Sequence, residues 1–391
     1  MADVQPFAAL HYNLDAVDSL EAVTAPPYDV IDDAERAALL DRSPFNVVEL
    51  DLPESPGEGG DRYAHAAEVL DGWTLAGVLV QDRQPSLWGL TQEYTGPDGS
   101  PRSRNSILAR VGVTDYGPGL IRPHERTQPG PRQDRLDLTR ATRYNLSPIF
   151  SLSTRDAWPL VEPATRGEPW AEVTDPDGTV NRLWKITDPA IHAAVSAELA
   201  DAELLIADGH HRYETARVYR DEIGGEGPHG FTLMALTGLD DPGLTVFPTH
   251  RLLSDLGAEG RGRLREGIGQ AFSVEEVDRD RLDPEGLDGI GRFGYLDAAI
   301  LEKAVLDGIL GMSEEDVEAK KGIGYAKTID ESLEAVDSGR ADAAFILRAT
   351  PVEQVREVAA AGETMPPKST YFFPKLLSGM VFNPLSQDGE R

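Results

Sequence analysis

Short apolar runs alternate with amphipathic stretches along the chain, and the two periods predict a mixed fold. Leu204, Leu205 and Ile206 form an apolar run suited to a buried strand, and Asp208-Gly209 follows as a turn, since glycine tolerates positive φ. From Arg212 onward Tyr213, Ala216, Tyr219 and Ile223 recur at near-helical spacing, while Glu214, Arg217, Arg220 and Asp221 take the other face. Residues 86–95 and 104–113 alternate as the strands of a hairpin joined by Gly96-Pro-Asp-Gly99, and 231–237 reads as a further strand. Helices are predicted over 63–75, near 133–141 and over 189–200. Pro26-Pro27 forbids a helix before it, and Asp32 or Asp33 is a natural N-cap for a helix over 34–41. Residues 43–50 read as a turn and a strand.

These elements predict an α/β, mixed α+β, protein. A core spans 1–253, interrupted by a polar Pro- and Gly-rich insertion or hairpin arm at 154–182. An acidic α+β region follows at 254–350, with helices near 259–271, 301–308 and 328–338. Residues 351–391 form a C-terminal segment returning to the core. No internal repeat is evident.

Charge changes the picture. The 391 residues hold 37 Lys plus Arg against 67 Asp plus Glu, a net charge of −30. A surface this acidic argues against general nucleic-acid binding, which needs cations along a phosphate backbone. A local basic pocket remains open. There is no cysteine, which removes disulfides, a thiol nucleophile and Cys-ligated metal. No run approaches ~18 apolar residues and no basic-then-apolar leader opens the chain, so the expectation is a soluble cytoplasmic protein with no membrane partner. Oligomeric state is not legible.

Three stretches concentrate chemistry. In Asp208-Gly209-His210-His211-Arg212, a strand, a Gly turn and a helix start aim backbone N–H groups and a positive dipole end at one point, which suits a phosphate. Two imidazoles and a guanidinium stand there too. Arg122-Pro123-His124-Glu125-Arg126-Thr127 is a loop of polar residues with no packing period. It is followed by Arg132, Arg135, Arg140 and Arg143, which read as a positive pocket in an acidic chain, and by Asn145. In Pro366-Pro367-Lys368-Ser369-Thr370-Tyr371-Phe372-Phe373-Pro374-Lys375, two of the seven lysines lie beside two hydroxyls, and Lys-Ser-Thr suits an anion. The glycines of a Walker loop are absent. His250-Arg251 reads as a satisfied structural pair.

Pro123-His124-Glu125 and Asp208-Gly209-His210-His211-Arg212 resemble the motif pair of the ParB/sulfiredoxin-like superfamily, with free serine kinases closest in chemistry. The wider pattern, from Pro26-Pro27-Tyr28-Asp29 through Asp208–Ala216 to the Pro-Lys-Ser-Thr segment, resembles the domain-of-unknown-function family numbered 1015. The first resemblance implies a ParB/sulfiredoxin-like nucleotide-binding core with large insertions and an appended α+β region. It implies Glu125 as base with His124 beside it, and Asp208 orienting substrate or Mg²⁺. It further implies Gly209, His210, His211 and Arg212 on phosphate, with ATP or ADP as nucleotide. Lys368, Ser369 and Thr370 join the phosphate side, and Arg126, Arg143 and Asn145 the substrate side. Sulfiredoxin chemistry needs a cysteine and is excluded.

The leading expectation is phosphoryl transfer between a nucleotide and a small hydroxylated metabolite, foremost free L-serine, in the kinase or the phosphatase direction. A nucleotide-binding switch without turnover is the alternative. A metal-dependent hydrolase using His124, Glu125, His210 and His211 comes third, because neighbouring histidines point apart.

Overall fold

The computed structural model describes residues 2–57, 59–97, 99–117, 120–125, 127, 129–274, 297–366 and 368–386. The chain divides into two units. The first comprises Met1–Pro123, Thr127–Thr245 and Pro374–Arg391; the second comprises His124–Arg126 and Val246–Phe373.

In the first unit the apolar runs pair into one mixed sheet, nine strands among the described residues. In chain order these are β1 Val4–Gln5, β2 Leu87–Thr95, β3 Pro101–Gly112, β4 Ile121–Arg122, β5 Ile149–Ser153, β6 Ala171–Thr174, β7 Val180–Ile186, β8 Leu204–Asp208 and β9 Phe231–Gly238. Across the sheet the order is β4-β8-β5-β9-β3-β2-β7-β6, with β1 paired to β3. The β8–β4 and β5–β9 pairs are parallel, whereas β8–β5 and β9–β3 are antiparallel. The protein is therefore mixed α/β, as its pattern predicts. The hairpin expected between 86 and 113 is β2 and β3. The polar 154–182 stretch carries β6 and leads into β7, so this arm extends the large sheet.

Helices α1 Asp33–Arg42, α2 Arg62–Leu75, α3 Pro129–Thr142, α4 Pro189–Leu199 and α5 His210–Ile223 belong to the same unit. Asp32 caps α1 in a reciprocal capping box with Glu35. Leu204 and Ile206 of β8 join Tyr213 and Ala216 of α5, and Val195 and Leu199 of α4, in one buried cluster. Leu205 is buried too, so β8 is an apolar run covered on both faces.

Two local expectations differ. Residues 43–50 contain no strand, and Val48–Asp51 is a helical turn. Asn46 accounts for it: its Oδ1 accepts from Val48 N at 3.0 Å, while its Nδ2 donates to the carbonyls of Ala22 and Thr24. Four apolar-rich residues do not distinguish one buried helical turn from a strand. The second difference is at α5, which starts at His210, two residues before Arg212, where the sequence pattern begins it.

The second unit contains the sheet β11-β10-β12, from β10 His250–Leu253, β11 Ile323–Ala326 and β12 Ala343–Phe345, all antiparallel. Its helices include α6 Gly257–Ala271, α7 Ile329–Asp337 and α8 Val352–Ala360. The helix expected at 301–308 is a π-helix over Leu301–Asp307, whose Leu301, Val305 and Leu306 pack with Leu253, Leu264 and Ile323.

Candidate functional site

The end of β8 is bent before it turns. Ile206 pairs with Ser151 and Asp208 with Phe150, so two residues of β8 face one of β5 across a bulge at Ala207. Such a bulge re-aims the side chains that follow it. Gly209 then takes φ +97°, in the left-handed region, and is the N-cap of α5. It brings no side-chain oxygen to cap the helix, and a helix supplies no internal acceptor for its first-turn N–H groups. The helix is anchored from below by fully buried Tyr213, whose hydroxyl donates to Thr114 O at 2.8 Å and accepts from Thr114 N at 3.0 Å.

Arg212, in the first turn, folds back over this junction. Its Nη2 donates to Asp208 Oδ2 at 3.0 Å, and its Nη1 donates to the Pro148 carbonyl. Its Nε is buried with no hydrogen-bond partner among the described residues. Asp208 Oδ1 accepts from Lys375 Nζ at 3.1 Å, so one carboxylate holds two cations. His210 is buried and His211 half-buried. They are successive helical residues, about 100° apart around the axis, so they face different directions.

Beside this junction lies a residue that sequence reasoning passed over. Arg104 of β3 is fully buried, directly across the strand pair from Gln92 of β2. Its Nε and Nη2 both donate to Gln92 Oε1, and Nη2 also donates to the Pro374 carbonyl. The guanidinium lies 4.3 Å from the centre of the Phe150 ring, and Phe150 is the strand partner of Asp208. Burial pulls the Arg104 pKa down to about 10, with Tyr94, Asp241 and Asp208 opposing the shift, so it stays charged at neutral pH. A charge on the inward face of a strand was the available signal.

Arg135 and Arg140 of α3 are accounted for differently from the expected positive pocket. Arg135 is buried against Asp51 at 2.9 Å and Asp134 at 2.6 Å, and covers the Tyr28 ring at 4.0 Å. Arg140 pairs with Asp137 and Glu222. Their charges are matched within the fold. Tyr28 of the Pro-Pro-Tyr-Asp loop thus packs under Arg135, and burial pushes its hydroxyl up to about 12. A cavity of about 40 Å³, room for a water, is lined by Asp51, Arg135, Asn145, Arg212 and Thr215 among others. Asn145 Oδ1 accepts from Leu233 N at 3.0 Å and from Asn383 Nδ2 at 2.9 Å. Arg143 adopts φ +58° just past the end of α3.

In the second unit His124 and Glu125 meet the Lys-Ser-Thr segment. Glu125 bridges Met365, and Met365 N donates to the His124 carbonyl at 2.8 Å. The Glu125 carboxylate accepts from Lys368 N at 3.3 Å, and Lys368 holds φ +56°. Buried His124 shares a 3.0 Å hydrogen bond between Nε2 and Thr370 Oγ1, and Ser369 Oγ donates to the Pro366 carbonyl at 2.6 Å. Two stretches 243 residues apart therefore form one cluster, a pairing the sequence left unstated. Arg126 lies outside the described residues. His250 Nδ1 accepts from Leu347 N, and Arg251 covers the Tyr325 ring, as expected of a structural pair.

The fit of Mg²⁺ can be tested at Asp208. Both carboxylate oxygens are engaged by cations, whereas Mg²⁺ demands near-octahedral oxygen ligands. The carboxylate in this arrangement does not fit a direct Mg²⁺ contact. Among the described residues no group of three or more His, Asp or Glu could hold a metal ion. Nor is any described helix long and apolar enough to cross a membrane.

A mixed sheet whose bulged strand ends in an Asp-Gly turn, with cations gathered at the start of the next helix, defines an α/β protein with a candidate anion site. The chain belongs to the family described as "Protein of unknown function (DUF1015)", which matches residues 4–327. No curated protein matches it. Among solved structures, a free serine kinase mutant in complex with ADP is 15% identical, over 64% of this chain and 83% of its own, at a TM-score of 0.37. A free serine kinase in complex with AMP is 18% identical over the same shares, at 0.36. SbnI with a C-terminal truncation from Staphylococcus aureus is 12% identical, over 72% of this chain and 90% of its own, at 0.36.

Proposed function

We propose that the protein transfers a phosphoryl group between a nucleotide, ATP or ADP, and the hydroxyl of a small metabolite, with free L-serine the first candidate. The observation that carries this reading is the Asp208–Arg212 turn. A left-handed Gly N-cap, a first helical turn, Arg212 with an unmatched buried Nε and Lys375 beside it form a frame suited to phosphoryl oxygens. Phosphoryl transfer asks little covalent chemistry of a protein; it asks for cations on the transferring oxygens and a base at the hydroxyl. The resemblance of the two motifs to those of free serine kinases supports the same assignment. On that reading Gly209, His210, His211 and Arg212 hold phosphate, with Lys368, Ser369 and Thr370 in support. Glu125 accepts the hydroxyl proton, and Arg126, Arg143 and Asn145 serve the acceptor. Mg²⁺ arriving with a nucleotide would keep its phosphate and water ligands, and Asp208 serves to hold Arg212 and Lys375 in place.

The test is incubation of the full chain with ATP or ADP, with and without L-serine, followed by separation of nucleotides and phosphoserine. Serine-dependent phosphoserine formation is expected, and the reverse reaction from phosphoserine in the presence of the product nucleotide. Nucleotide that binds but is never consumed, with serine or other small hydroxyl compounds, would instead identify a nucleotide-binding switch.

A further inference from the structure

We propose that Lys375 is a ligand-binding residue of the Asp208–Gly209 turn, and that Arg104 and Gln92 are the residues that position it. The proposal deepens the phosphoryl-transfer reading and rests on it. The ligand it addresses is a phosphoryl group, free or carried by a nucleotide.

The backbone on which Lys375 stands is held by buried side chains. The Pro374 carbonyl accepts from Arg104 Nη2, and the Lys375 carbonyl accepts from Gln92 Nε2 at 3.1 Å. Gln92 is fixed in turn: its Oε1 accepts from Arg104, and its Nε2 donates to Asn181 Oδ1 at 2.8 Å. Asn181 Nδ2 donates onward to the Val173 and Thr179 carbonyls. Arg104, Gln92 and Asn181 are all buried, and the chain of bonds runs from β3 through β2 and β7 to β6. Arg104 Nη1 still lacks a partner among the described residues.

Such a network is expensive as a way to hold one loop. Each buried polar group gives up hydration, and a buried guanidinium gives up most. Apolar side chains of similar volume would pack the same strands at less cost. The network's product is one placement, the Lys375 ammonium at the Asp208 carboxylate, where the lysine side chain is 17% exposed. A partly exposed ion pair adds little to stability, too little to explain so much buried polarity. Placement of a cation before ligand arrives does explain it, because electrostatic groups fixed in advance need no reorganisation on binding. A lysine suits the task, being a point charge on a flexible stem that can turn from a carboxylate oxygen to a phosphoryl oxygen close by.

The experiment is calorimetric titration of the full chain with ADP, ATP, pyrophosphate and inorganic phosphate in separate runs, alongside thermal melts. Lys375→Met is expected to weaken binding of the phosphorylated probes by about tenfold, the factor for one lost charge-assisted hydrogen bond, with the fold intact. Lys375→Arg should restore part of the loss. Arg104→Met should weaken binding comparably, yet cost nothing further in the Lys375→Met background, a non-additivity that general loosening would not give. Should Arg104→Met fail to fold, Gln92→Leu takes its place in the same cycle. If Lys375→Met binds ADP as wild type does while Arg212→Met has lost it, Lys375 is structural and the phosphoryl reading stands. If Arg104→Met and Gln92→Leu weaken binding equally with and without Lys375, the positioning role is wrong. If wild type binds none of the four probes, both readings fall together.

Discussion

The guanidinium of Arg212 lies against the Cα of Gly209 so closely that a Cβ built there would sit 2.9 Å from Nε and 3.0 Å from Cζ. Gly209 is therefore fixed by two independent demands, a left-handed φ of +97° and the absence of any side chain. Gly209→Ala should cost about 1–2 kcal/mol of stability from the backbone alone. It should also push Arg212 off Asp208 and weaken nucleotide binding more than that strain explains. Denaturant melts and nucleotide titration on the same variant check both halves. Unchanged binding would separate Arg212 from the ligand.

Arg135 and Asp51 form a buried pair whose two side chains are each 6% exposed, and Asp51 Oδ2 also accepts from Ser378 Oγ at 2.9 Å. Removing one member of such a pair strands the other charge, a loss of about 3–5 kcal/mol. Arg135 keeps Asp134, so Asp51→Ala should fall near the lower end of that range, while Arg140→Ala on the surface should cost under ~1 kcal/mol. Urea unfolding of the two variants side by side checks the contrast. Equal losses would mean that the α3 arginines act alike, as their sequence pattern suggested.

What the sequence revealed follows from the range of the forces involved. The Leu204–Ile206 run, the Gly209 turn and the period of Tyr213, Ala216 and Tyr219 are local signals, and each became the expected element. The charge of Arg135 and Arg140 was legible, but their neutralisation by Asp51 and Glu222 was not, because those partners stand 84 and 82 positions away. Arg104 was passed over, and Lys375 was read within its stretch without its partner, for the same reason: one bonds a carbonyl 270 positions along the chain, the other a carboxylate 167 positions away. Residues 43–50 failed on chemistry of shorter range, an Asn46 side chain that supplies three hydrogen bonds and so selects a helical turn.

Asp82 supplies a test in pH. Burial alone would push its carboxyl up, but hydrogen bonds from His11 and Lys185, together with their charges, outweigh burial and hold it below the ordinary carboxylate range. A group depressed in the folded state contributes stability above its unfolded pKa of roughly 4, and that contribution is lost as pH falls through the lower folded value. Asp82→Asn should thus cost about 1–2 kcal/mol near neutral pH and progressively less below about pH 4. Thermal melts of both proteins across that interval check the sign. A gap that widens on acidification would show that the carboxyl is raised rather than lowered.

Glu125 offers the sharpest test of chemistry against architecture. Its carboxylate accepts a hydrogen bond from the Lys368 N–H, and its backbone bridges Met365. Glutamine keeps an acceptor oxygen for Lys368 and leaves the bridge untouched, so Glu125→Gln preserves the local fold while removing the basic group. If Glu125 takes the substrate proton, kcat should fall by about 10²–10⁴ while nucleotide affinity changes little. Lys368→Ala makes the complementary change: it removes the ammonium of a residue at φ +56°, and if that ammonium holds phosphate, KM for nucleotide should rise more than kcat falls. Near-normal turnover in Glu125→Gln would remove it from the proton transfer and leave the Pro-His-Glu loop as a structural partner of the Lys-Ser-Thr segment.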